Sequence, residues 1–166
     1  MLQNKFQISA EQAAEKCAQL SAVGESCGLK MDFDKAHYGN TFLAHQLQQY
    51  ANTLDADIAN KVHQALFDAV LEQGLNIGDV NVLVNLAQAQ GLDAAMVKNV
   101  LETQRFANAV RIDETAAAEL NVSGVPFFGF DGRLAVAGAQ SIDAFKEVIN
   151  HILNKDASED ALLSRQ

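Results

Sequence analysis

The feature that most constrains the fold is a change of hydrophobic periodicity at Val125. Before this point, segments with apolar residues at helical spacing follow one another, and after it two short apolar runs flank the pair Asp131-Gly132. Apolar residues at i, i+3, i+4 and i+7 indicate amphipathic helices, whereas short apolar runs joined by Asp-Gly indicate a hairpin. The pattern therefore predicts a mostly helical α/β chain with a β-hairpin and a closing helix near its C-terminus.

Six helices are predicted before the hairpin, and capping residues support four of them. Ser9 and Gln12 have the spacing of a capping box, in which each side chain bonds the backbone of the other residue. The other predicted N-caps are the pair Asn40 and Thr41, then Asp79 and Asp93, and Ser141 is expected to cap the closing helix. Everything up to residue 121 is therefore predicted to be helical or connecting.

The stretch GVPFFGFDGRLAVAGAQ contains the only proline of the chain, Pro126, at the start of its first apolar run. Proline donates no hydrogen bond, so it is confined to the edges or starts of strands. The X–Pro bond is also the one peptide bond for which cis costs only about 0.5–1 kcal/mol. The local sequence leaves two alternatives: a trans proline that opens a strand, and a cis bond that leaves the backbone of Val125 free for an extended partner.

Composition and charge exclude several classes of protein. The 166 residues are 49% hydrophobic and 20% charged, which is typical of a globular domain. The net charge of −9 opposes binding to nucleic acid or to anionic membranes, and 18 apolar residues never run together. The first residues lack the basic flank and apolar segment of a signal peptide. We therefore expect a cytoplasmic protein with no nucleic-acid or membrane partner.

The cysteines and histidines form no recognisable metal or redox motif. Cys17 and Cys27 are ten positions apart, which is neither a C-x-x-C nor a zinc-binding spacing. Cys17 lies in an apolar helical stripe and is interpreted as structural, and Cys27 is expected to be exposed near a helix end. Ten helical residues span about 15 Å, so no Cys17–Cys27 disulfide is expected. The four histidines show no ligand spacing, so no metal site is expected.

Several longer motifs resemble one family. NTFLAHQL (40–47), ALFDAVLEQGLNIGD (65–79), LAQAQGLD (86–93), VSGVPFF and VAGAQ occur in that order. Together they resemble the DsbA family, and within it the FrnE-like branch, over residues 5–153. The resemblance implies a thioredoxin-like fold with a helical insertion domain at residues 1–121. It places the C-terminal hairpin and helix of the thioredoxin-like domain at 122–155 and a flexible tail at 156–166.

The resemblance also implies a function and a site. In the family the proline corresponding to Pro126 is a cis-proline, so Val125 and Pro126 are expected to bind a thiol or disulfide substrate. The family's C-x-x-C lies in an N-terminal unit that has no counterpart in this sequence, so no catalytic residue is expected here. The chain is thus interpreted as part of a thiol-disulfide oxidoreductase or isomerase that needs no cofactor and is inactive alone.

Two other interpretations remain open at this point. The first is a glutathione-dependent isomerase or transferase related to 2-hydroxychromene-2-carboxylate isomerase, in which glutathione occupies the same loop. The second is an inactive, truncated protein that binds a partner.

The predicted strand at Phe127–Phe130 also bears on assembly. In a complete thioredoxin-like sheet it pairs with a strand of the N-terminal unit, which has no counterpart here. An unpaired apolar edge is a template for pairing with another chain, and a two-fold contact closes after one partner. We therefore expect a homodimer with this strand at or near its interface.

Overall fold

The computed structural model describes the backbone of residues 9–163 and the side chains of residues 9–154. Within these residues the chain is mostly helical and contains one small sheet, as the hydrophobic pattern predicts. The elements are α1 (Ala10–Ser26), α2 (Phe42–Asn52), α3 (Ala56–Leu71), α4 (Val80–Ala89), α5 (Ala94–Glu102), α6 (Ala107–Glu119), β1 (Phe127–Phe130), β2 (Leu134–Ala137) and α7 (Ile142–Leu163). The chain divides into two compact units, Met1–Asp113 and Glu114–Gln166.

The core of the first unit is built around α2. Helices α3, α4 and α5 all contact it. Leu47 and Ala51 of α2 are fully buried, together with Val62 of α3, Leu83 of α4 and Val97 of α5. Burying each of the larger side chains contributes about 1.5–3 kcal/mol to folding. This cluster stabilises the four helices that carry most of the family-like motifs.

The predicted caps are present with one difference. Ser9 and Gln12 form both bonds of a capping box, and the side chains of Asp79 and Asp93 accept bonds from the first turns of their helices. At α2, however, Thr41 occupies the N-cap position without a side-chain capping bond. The amide of Phe42 donates instead to Asn40 Oδ1, over 2.8 Å. The expected Asn40–Thr41 pair is therefore reduced to Asn40, and the Thr41 hydroxyl is not used for capping.

The second unit contains the hairpin and the last helix. Strands β1 and β2 pair antiparallel, with Phe127 opposite Ala137 and Phe130 opposite Leu134. Asp131 and Gly132 both have positive φ, 52° and 65°, as a type I′ turn requires. The predicted turn pair is thus found at the hairpin tip.

An aromatic cluster joins the hairpin to α7. Residues two apart on a strand share one face of the sheet, and this places Phe128 and Phe130 together on β1. Both rings contact Phe145 of α7, with centroid distances of 4.8 and 6.1 Å. Edge-to-face and tilted pairs at such distances are favourable beyond the area that they bury. The cluster holds β1 against the helix that follows it.

Helix α7 is longer than the sequence pattern indicates. Its backbone remains helical to Leu163, through most of the segment for which a flexible tail was predicted at 156–166. Residues 164–166 of that predicted tail lie outside the described part of the chain.

Candidate functional site

The Val125–Pro126 segment lies immediately before β1 and is open to solvent. Its peptide bond is cis. Val125 is 89% exposed, the highest exposure among the large hydrophobic residues described. Within the part of the chain that the structure describes, neither its backbone N–H nor its C=O has a hydrogen-bond partner. An apolar residue with a free donor and a free acceptor is therefore presented at the start of a strand.

Pro126 has a different role from its neighbour because it is tied to the sheet. Its carbonyl accepts a hydrogen bond from the N–H of Gly138, just after β2, over 2.8 Å. This bond continues the hairpin ladder by one step beyond the Phe127–Ala137 pair. An extended peptide binds a sheet through the free backbone groups of a strand edge. The arrangement can therefore hold a peptide backbone at Val125 while Pro126 is kept in place.

The two cysteines belong to the first unit, whereas Val125 and Pro126 belong to the second. Cys17 is half-buried on α1, and Cys27 is exposed at the C-cap of that helix, where its Sγ lies 3.8 Å from Ser26 Oγ. Both thiols are free, as the helical distance between them predicts. Neither is part of a C-x-x-C motif. The structure therefore shows two separate free thiols on or next to α1.

Cys17 has an electrostatic neighbour in Tyr38. Partial burial raises the pKa of the Tyr38 phenol, and the negative charge of the Cys17 thiolate raises it further. Both effects disfavour the phenolate because a buried charge loses hydration and like charges repel. The titration of Tyr38 therefore reports on the charge of Cys17.

The described residues contain no group of three or more histidine, cysteine or acidic side chains placed to bind a metal ion. Nor does any helix in this part of the chain have the length and apolarity to cross a membrane. His45 and His63 instead line an apolar cavity, which the sequence did not predict. His45 lies four positions after Thr41, and His63 lies four positions before Phe67. This helical spacing of polar and aromatic residues was the available signal in the sequence.

A helical unit followed by an exposed Val-Pro segment, a hairpin and a closing helix defines the class of thioredoxin-like proteins with a helical insertion. The chain belongs to the family of DSBA-like thioredoxin domains, whose model matches residues 2–150. It is similar to the crystal structure of a probable DsbA oxidoreductase from Streptomyces coelicolor, with a TM-score of 0.81 and 31% identity over 93% of this chain. The resemblance of the sequence motifs to the DsbA family is confirmed.

Two curated proteins of Bacillus subtilis (strain 168) are also similar. The uncharacterized protein YwbO is 34% identical over 95 residues, which are 55% of this chain and 47% of YwbO. The ClpXP adapter protein SpxH is 33% identical over 87 residues, 49% of this chain and 29% of SpxH. The chain thus spans less than half of these two relatives, and it covers 66% of the Streptomyces chain.

Proposed function

We propose that this chain contains the substrate-holding part of a DsbA-family thiol-disulfide oxidoreductase, with Val125 and Pro126 as its substrate-binding residues. The observation that carries the proposal is the free backbone N–H and C=O of Val125 beside the anchored Pro126. These groups suit an extended polypeptide that carries a cysteine. The FrnE-like branch is part of the proposal and rests on the motifs of residues 40–47 and 65–79.

The chemistry proposed for the intact protein is thiol–disulfide exchange. A thiolate attacks one sulfur of a substrate disulfide, forms a mixed disulfide with it, and releases the other sulfur as a thiolate. A second thiolate then attacks the mixed disulfide, which leaves the substrate reduced and the protein dithiol oxidised. These 166 residues contain no C-x-x-C, so none of them is assigned to this pair of thiolates. No cofactor is required.

Two free thiols are consistent with a reducing, cytoplasmic location, which we also propose.

Two other functions compete with the proposed oxidoreductase. A glutathione-dependent isomerase or transferase would use the same exposed backbone groups to bind the peptide part of glutathione. A non-enzymatic role in binding a partner is favoured by the absence of a C-x-x-C here, and one relative, SpxH, is named as an adapter protein. These alternatives differ in ligand and in turnover, so both can be tested on the same chain.

The binding test uses the full chain labelled with ¹⁵N. It is titrated with a hexapeptide that has a central S-methylated cysteine and, separately, with glutathione, while the amide signals of Gly124, Val125, Phe127 and Phe128 are followed. We expect saturable shifts at Val125 and Phe127 with the peptide. Stronger binding of glutathione would favour the isomerase or transferase instead. Shifts confined to other parts of the chain would contradict the proposed site.

Two variants at one position separate backbone pairing from side-chain contact. Val125→Pro removes the N–H donor, and proline is compatible with the extended conformation required before another proline. We expect it to weaken peptide binding by about tenfold, which corresponds to the upper end of the net free energy that one hydrogen bond contributes. Val125→Ala keeps the backbone groups and should bind within about twofold of the original chain. Equal losses in both variants would assign the site to the side chain.

The activity test addresses the missing dithiol. In a thiol-dependent insulin reduction assay, we expect the chain to accelerate the reaction no more than the same concentration of free dithiothreitol does. Turnover well above that level, abolished by Cys17→Ser or Cys27→Ser, would show that these cysteines act as a redox pair.

A further inference from the structure

A cavity opens between α2 and α3 in the first unit, with a volume of about 310 Å³. Its floor and walls are mostly aliphatic, and Phe67, which is 51% exposed, contributes an aromatic wall. The aliphatic lining residues are Ala44, Leu66, Val70, Leu71 and Ile77. Concave, largely apolar cavities of about 300–1,000 Å³ with a few converging polar groups are typical of small-molecule sites.

Three polar side chains line this cavity without being used by the fold. Thr41 is at the N-cap position of α2, but its hydroxyl makes no capping bond. Within the described residues, no hydrogen bond or ion pair involves the side chain of Thr41, His45 or His63. The contact of the His63 ring is with Phe67, edge-on at 5.0 Å between centroids. All three residues are exposed to solvent, and one hydroxyl and two imidazoles line the open side of the cavity, where a ligand can reach them.

The fourth polar lining residue, Gln48, is already fixed. Its Nε2 donates to Asn52 Oδ1 over 2.9 Å and to the carbonyl of Ala59 over 3.2 Å. The first bond lies within α2 and the second connects α2 to α3, and together they hold the side-chain nitrogen in one orientation. Its Oε1, however, is buried without a hydrogen-bond partner among the described residues, so Gln48 adds one acceptor to the polar groups that a ligand can contact.

We propose that this cavity binds a compact ring-bearing small molecule that carries a hydroxyl group. A cavity of about 150 Å³ accommodates one benzene ring, so about 310 Å³ accommodates two fused rings. Hydroxyl and neutral imidazole groups can each donate or accept, as a ligand hydroxyl can. A net charge of −9 disfavours an anionic ligand. The inference is independent of the proposed function because it uses only residues 41–77.

The first experiment compares two probes, 2-naphthol and naphthalene, by titration calorimetry with the full chain. We expect one saturable site for 2-naphthol and binding about five- to tenfold weaker for naphthalene, which lacks the hydroxyl. The absence of saturable 2-naphthol binding at millimolar concentration would overturn the proposal. Equal affinities for the two probes would overturn the assigned role of the hydroxyl.

The second experiment fills the cavity. Val70→Phe places a ring in the space that the ligand would occupy, and we expect it to weaken 2-naphthol binding at least about tenfold. The matched control is Val82→Phe, because Val82 is a half-buried valine that lines a separate groove beside α4. It should change binding less than about twofold. If Val70→Phe does not fold, Ile77→Phe fills the same cavity from the loop after α3. Equal effects in cavity and control variants would place the probe elsewhere.

The third experiment removes the polar contacts. In the double variant His45→Leu/His63→Leu we expect the preference for 2-naphthol over naphthalene to fall to about twofold or less. His151→Leu is the control, because His151 is an exposed histidine of α7 in the other unit. It should leave the preference unchanged. A preference that survives the double variant would exclude the imidazoles as ligand contacts.

Discussion

Gln46 offers a direct test of how the centre of the first unit is stabilised. Its side chain has no exposed surface, yet neither its Nε2 nor its Oε1 has a hydrogen-bond partner among the described residues. The aromatic side chains one turn to either side of it on α2 contact residues that follow α5. Phe42, one turn before Gln46, contacts Arg111, and Tyr50, one turn after it, contacts Phe106. The side chain is thus enclosed by packing that provides no polar partner.

The perturbation is Gln46→Met, which replaces the amide with an apolar group of similar length. Burying an amide without hydrogen bonds costs about 1–3 kcal/mol by mutational data, and a volume-conserving apolar replacement adds little strain. We therefore expect the free energy of unfolding to rise by about 1–3 kcal/mol. For a domain of this size that corresponds to a melting temperature about 2–12 °C higher.

The assay is urea unfolding of the full chain followed by circular dichroism, with the slope m compared between variants so that a change in midpoint reports stability. Gln88→Met is the matched control, since Gln88 is an exposed glutamine of α4. It should change stability by less than about 0.5 kcal/mol. A loss of stability in Gln46→Met beyond that of the control would refute the reasoning, because it would mean that the amide is hydrogen-bonded in solution.

Three further predictions concern a tight turn, a titration and assembly. Gly74 has φ +65°, and a Cβ there would overlap the carbonyl of Lys35, so Gly74→Ala should lower the unfolding free energy by at least about 2 kcal/mol in urea unfolding. The control is Gly91→Ala, because Gly91 also has a positive φ but an added Cβ there would meet no atom within 4 Å, and it should lower the unfolding free energy by only about 1 kcal/mol. Equal losses in the two variants would contradict the overlap with Lys35. The pKa of Tyr38 is raised by burial and by Cys17, so the neutral phenol favours the folded state. Its contribution to the free energy of unfolding is complete below pH ~10 and is lost as the pH rises through the pKa of the folded state. Tyr38→Phe should flatten that alkaline decline and Cys17→Ser should move the phenol's absorbance titration to lower pH; an unmoved titration would exclude the thiolate. Because β1 has one edge that β2 does not pair, we expect a homodimer in sedimentation equilibrium, and a monomer near 17.9 kDa would contradict it.

Local signals account for most of what the sequence predicts correctly. A capping box needs only Ser9 and Gln12, and a type I′ turn needs only Asp131 and Gly132, so each is decided within a few residues. The Thr41 cap failed for a local reason as well, since Asn40 stands one position earlier and bonds the same first turn. Where two neighbouring side chains can each satisfy a helix end, sequence alone does not decide between them.

The cavity and the buried amide required the structure because both depend on packing between helices. Gln46 lies in a family-like motif of ordinary polarity, and nothing within a turn of it reveals that α2 is covered on two faces. His45 and His63 are eighteen positions apart and become neighbours of one cavity only when α2 and α3 pack together. The same dependence explains why Val125 was predicted as a site residue and these were not. Val125 and Pro126 stand beside each other in one motif, on which the family resemblance implied a site, whereas a cavity is defined by side chains that the sequence separates.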